Sequence, residues 1–136
     1  MNGLNWSYRK IPLTIKDIRD IESKLELTLP NEYKKILLSH HGARPDKKRF
    51  VTSTKTERVL KTFVPVTSDY EINLFSLIEW LNLPQGVIPF ASTPSGDYIC
   101  FRYEQNEDPV IVLYHHEIYS FEHVTNSFNQ FLQSLY

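Results

Sequence analysis

Glycine is scarce in this chain, and so are the sulfur residues: four Gly, one Cys and one Met among 136 residues. So few glycines leave little room for a phosphate-cradling loop, and no Walker-type or dinucleotide-binding spacing occurs. The single cysteine, Cys100, excludes an internal disulfide and points to a reducing, cytoplasmic setting. No apolar run reaches the roughly 18 residues of a membrane span. The opening MNGLNWSYRK lacks the apolar stretch of a signal peptide. HExxH and CxxC spacings are also absent, so neither a metal nor a cofactor is expected. Positive charge runs out halfway along. Residues 1–61 carry 14 Lys/Arg against 7 Asp/Glu, whereas residues 62–136 carry Arg102 alone against 9 acids. Either the two halves interleave in space and these charges average out, or one face of the fold is strongly acidic.

Aromatics are plentiful, with eight Phe, eight Tyr and two Trp. The length suits one domain, residues 1–136, with a sizeable buried core. Thr14 is placed to cap a helix with Ile15, Ile18, Ile21 and Leu25 at helical spacing. Pro30 opens a second helix that turns Tyr33, Ile36 and Leu37 inward and stops at Gly42. After the basic loop ARPDKKR come β-type runs at Phe50–Ser53 and Val59–Val66. A short helix capped by Asn73 follows, with Trp80 on the same stripe as Leu77 and Leu81 and therefore expected in the core. Strands are expected at Val87–Ala91, Tyr98–Tyr103, Val110–His115 and Ile118–Phe121, then a final helix capped by Thr125. This order reads as α+β: a mainly antiparallel sheet with N-terminal helices, a helical insertion and a C-terminal helix packed on it.

Several residues invite a chemical reading. Ser95-Gly96-Asp97 lies between two apolar runs, but the nucleophile-elbow pattern is absent, and Pro94 to Asp97 are the types that turns select. His115 and His116 point to opposite faces if both lie on a strand, which keeps them out of one site. A hydrolase built on Asp97 and a histidine is the enzymatic alternative. Cys100 sits mid-strand in an apolar run and reads as a small core residue. Arg44, Lys47, Lys48 and Arg49 could meet nucleic acid, but the acidic second half would repel phosphate. The remaining set is acidic and aromatic: Asp69, Tyr70, Glu71, Asp97, Glu104, Glu107 and Asp108. Loop carboxylates interleaved with tyrosine suit recognition of a basic protein better than catalysis.

Four segments, in order, carry a resemblance. They are LELTLPNEYKKILLSHHG, IPFASTPSGDYICFRY, VIVLYHHE and VTNSFNQFL. Together they resemble the SUKH superfamily over residue 14 to the C-terminus. His41 stands where many members have Asn, and Arg102 where an acidic residue is frequent. The resemblance implies a non-enzymatic role. Bacterial members are typically immunity proteins that bind the C-terminal toxic domain of a polymorphic toxin, often a basic nuclease. The alternative is a regulatory or scaffold module that binds a host protein, as in members of the fungal type. Leu29, Pro30, Gly42, Pro89, Gly96 and Phe128 are the positions that carry the fold in this resemblance.

Overall fold

The computed structural model describes residues 3–105 and 107–136. Helix α1, Ile15–Leu25, starts in a reciprocal capping box: the Thr14 hydroxyl accepts the Asp17 amide, and the Asp17 carboxylate accepts the Thr14 amide. Ile18 and Ile21 face inward, while Ile15 in the first turn stays exposed. Glu26 adopts the left-handed conformation that ends the helix. The Glu22 carboxylate then accepts the Leu29 amide at 2.7 Å and lies 3.3 Å from Lys34 Nζ. These contacts fix the junction with α2, Asn31–His40. Short strands β1, Trp6–Ser7, and β2, Arg44–Pro45, pair with each other. Strands β3, Arg49–Val51, and β4, Glu57–Val59, form a second small ribbon.

The main sheet is antiparallel throughout, in the order β5 (Thr62–Phe63), β6 (Val87–Ser92), β7 (Tyr98–Arg102), β8 (Val110–His115) and β9 (Ser120–Thr125). The run expected as one strand from Val59 to Val66 is in fact divided. The Leu60 amide bonds Lys48 and the Lys61 amide bonds Ser92, so the chain changes sheets between them. Pro89 has no amide to give the ladder, and the β6–β7 register shifts just beyond it, between Pro89 and Ala91. Helix α3, Leu74–Trp80, is capped by Asn73, whose side chain accepts the Phe75 and Ser76 amides. Trp80 is not core: it is 57% exposed on the last turn of α3. Helix α4, Phe128–Ser134, is capped by Ser127, because Thr125 is still the last residue of β9.

Helices and sheet meet over an aromatic centre. Tyr33 is fully buried, with ring centroids of Phe101, Phe128 and Phe90 at 5.0, 5.7 and 6.1 Å. Its hydroxyl has no hydrogen-bond partner among the described residues. His41 is a cross-link rather than an exposed helix end. Its Nδ1 bonds the Ile11 carbonyl and its Nε2 accepts the Val66 amide, so the ring is the neutral tautomer. Burial, the largest influence, holds it below the ordinary imidazole value.

Candidate partner-binding surface

The five strands of the main sheet all come from residues 62–125. The basic first half supplies α1, α2 and the two small ribbons instead. One face of the sheet packs Ile99, Phe101, Ile111 and Leu113 into the helical core. The opposite face gathers Val87, Cys100, Val112 and Tyr114, with Tyr98, Val110 and Phe121 partly buried beside them. The acid-rich half thus builds the sheet together with α3 and α4, and first-half cations stand against it: Arg58 lines a depression with Pro94 and Asp97, and Lys24 lies over the Phe75 ring. Arg102 is the one Lys or Arg that residues 62–136 can contribute. Its Nε lies 3.3 Å from Glu104 Oε1, and its guanidinium sits over the Phe121 ring. Cys100 is fully buried, and burial drives its thiol far above the ordinary value, as expected of an inert core residue.

The β7–β8 connection carries Glu104, Glu107 and Asp108. Glu107 and Asp108 line an open groove of about 440 Å³ with Glu26, Leu27 and Tyr103. An adjoining depression of about 370 Å³ shares Pro30, Asn31, Asp108 and Pro109 and adds Glu32 and Lys35. Tyr103 ties the loop to the helical layer by donating its hydroxyl to the Thr28 carbonyl at 2.8 Å. Burial, with Glu22 and Asp108 adding to it, raises the Tyr103 phenol well above its usual value. Glu32 pairs with Lys35 at 3.0 Å. Glu26, Glu107 and Asp108 have no ion-pair partner among the described residues. Such a groove suits a basic side chain whose stem can lie along Leu27 and Pro109. Glu26 and Glu32 join this site although nothing in the sequence links them to residues 107–108. Only the left-handed turn at Glu26 and the Leu-Pro step after it bring them there.

Asp97 lies at the other end of the strands, about 17 Å away for a five-residue strand. Its carboxylate accepts from His116 Nδ1 at 2.7 Å and from the His116 amide at 3.2 Å, and lies 3.4 Å from His115 Nδ1. The two histidines do meet, because β8 ends at His115 and the turn swings His116 back to the same carboxylate. Burial pushes the Asp97 carboxyl up, but the His116 ring and amide and the His115 charge outweigh it and hold it below the ordinary value. His115 Nε2 meets Glu122 at 3.0 Å, and Glu122 also accepts from Thr54. Burial raises Glu122, and the threonine hydroxyls and His115 more than reverse it. Ser95 Oγ reaches Asp97 at 3.5 Å and bonds Thr93 Oγ1; no hydroxyl is hydrogen-bonded to either imidazole among the described residues. An Asp–His pair without a nucleophile at the imidazole lacks the geometry for acyl transfer. Among the described residues, no group of three or more His, Cys, Asp or Glu is placed to hold a metal.

Asp69, Tyr70 and Glu71 sit in the loop before α3. Asp69 and Glu71 are exposed. Tyr70 is half-buried: its hydroxyl accepts the Ile11 amide at 2.9 Å, and Lys10 Nζ stands 5.7 Å from its ring centre. The seven expected residues thus occupy three places. The β7–β8 loop brings Glu104, Glu107 and Asp108 together, whereas Asp97 and the 69–71 loop stand apart from it and from each other.

No curated protein matches the chain. The family model described as SUKH_6, SMI1-KNR4 cell-wall, matches residues 15–132, which run from the first residue of α1 into α4. On that match over most of its length, the chain belongs to the SUKH_6 family of the SUKH superfamily.

Proposed function

We propose that this chain is a cytoplasmic immunity protein. It acts as one domain without catalysis of its own, binds the C-terminal domain of a cognate toxin one to one, and blocks a nuclease groove. The observation that carries this reading is the open groove in which Glu26, Glu107 and Asp108 lie together with no ion-pair partner among the described residues. A nuclease must present cations to phosphate, and a surface with unpaired carboxylates can engage them. Glu104, Glu107 and Asp108 are proposed as the main polar contacts, with Asp69 and Glu71 as outlying ones. Asp97 and Tyr70 serve by holding the segments next to them. Family membership supports a protein partner for this chain. Co-expression with the C-terminal domain of a candidate toxin, sought first among the neighbouring genes, tests the reading. Cells should survive and a one-to-one complex should purify; death of the cells with no complex would overturn it.

A further inference from the structure

The β8–β9 turn, residues 116–119, ends in the two most exposed large hydrophobic neighbours of the fold, Ile118 at 69% and Tyr119 at 80%. Tyr119 also holds φ at +52°, the left-handed region that strains any residue with a Cβ. A glycine would relieve that strain and remove the exposed ring, so neither fold stability nor solubility accounts for a tyrosine at this position. Tyr8 supplies a contrast: it is 71% exposed with φ +62°, yet Arg44 lies 4.9 Å over its ring. Among the described residues, Tyr119 has no ring or cation stacked on it.

The turn is held rigidly from below. Asp97 clamps the amide and ring of His116, and Gly96, at φ +88°, forms the turn that brings Asp97 to it. Behind the tip, Phe121 packs across the strands on the buried Tyr114 with rings 4.9 Å apart, which anchors the turn to the sheet. Glu117 at the tip is exposed, and residues 62–136, which supply the sheet strands, carry one Lys or Arg against nine acids. A rigid aromatic anchor beside a carboxylate is what a cationic protein cleft recognises, because the ordering cost is met before binding. Two copies would bring Glu117 against Glu117, and an anionic membrane surface would be repelled.

We propose that Ile118 and Tyr119 are the aromatic and aliphatic anchor with which this chain enters a cationic cleft of its protein partner. The assignment rests on the immunity reading and gives it a docking element that the carboxylate set did not include. The test titrates an inactivated form of the candidate toxin domain from that co-expression into the full chain, as wild type and as Tyr119→Gly, Ile118→Ser and the matched control Tyr8→Gly. Tyr119→Gly should melt no lower than wild type because φ strain is relieved, yet bind about tenfold or more weakly. Ile118→Ser should also weaken binding, and Tyr8→Gly should match wild type. Wild-type affinity in Tyr119→Gly would overturn the anchor and leave the immunity reading standing. No binding by wild type would overturn the immunity reading and the anchor with it. A wild-type dimer that Tyr119→Gly makes monomeric would assign the tip to self-association instead, and so overturn the proposal.

Discussion

Replacing Asp97 should separate its structural role from any catalytic one. Its carboxylate accepts two hydrogen bonds from His116, at 2.7 and 3.2 Å, and faces His115 Nδ1 at 3.4 Å, with little of the side chain in solvent. Hydrogen bonds to a charged group contribute about 1.5–3 kcal/mol each, and orphaning the donors adds to the loss. Asp97→Ala should therefore cost about 3 kcal/mol, and Asp97→Asn, which keeps an acceptor without the charge, about half of that. For a domain of this size, roughly 3–5 °C of melting temperature corresponds to each kcal/mol, so the alanine variant should melt about 10–15 °C lower near neutral pH. The acid side gives an independent check. The folded-state carboxyl lies below its ordinary value of 3.8. Its stabilisation is thus present above that value and is lost as pH falls through the lower folded value. Melting curves of wild type and Asp97→Asn should differ at neutral pH, and the gap should shrink as pH falls below about 3.8. A melting temperature unchanged by Asp97→Ala, or a gap that stays constant down to acid, would refute the clamp.

Three further outcomes are expected. Tyr33→Phe removes a fully buried hydroxyl that has no partner among the described residues, and should raise stability by about 1 kcal/mol in urea titration; a loss of similar size would mean that the hydroxyl is satisfied. The Cys100 thiol should stay inert to a thiol reagent in the native protein and react only on unfolding, because burial holds it protonated; rapid native labelling would contradict its placement. Glu107→Lys with Asp108→Lys should leave the melting temperature nearly unchanged, both residues being exposed, while weakening the toxin-domain complex and flattening its salt dependence. Unchanged affinity would remove the groove from the contact surface.

Much of the fold could be read locally. Thr14 and Asn73 cap the helices expected of them, and Val110–His115 is a strand with the expected bounds, because capping and apolar runs are short-range signals. The failures occur where a partner far along the chain decides. Leu60 and Lys61 divide an apolar run because their amides bond Lys48 and Ser92. Trp80 follows the helical stripe of Leu77, but α3 ends at Trp80 and, among the described residues, nothing packs over that position to bury it. His115 and His116 meet at one carboxylate because the strand stops between them, a boundary that side-chain alternation does not reveal. The acidic site was half legible. Glu107 and Asp108 stand out by composition, whereas Glu26 joins them only through the α1–α2 junction that Glu22 fixes. The exposed tyrosine at 119 gives no sequence signal, since its φ and its missing ring partner are features of the folded turn alone.

The carboxylates of the β7–β8 loop make the central claim directly measurable. Titration of the inactivated candidate toxin domain should be run at low and at several-fold higher salt. A tight one-to-one complex whose affinity falls as salt rises is expected, because an acidic surface edged by Glu104, Glu107 and Asp108 would be meeting cations of the partner. No complex at either salt concentration, or an affinity indifferent to salt, would contradict the account.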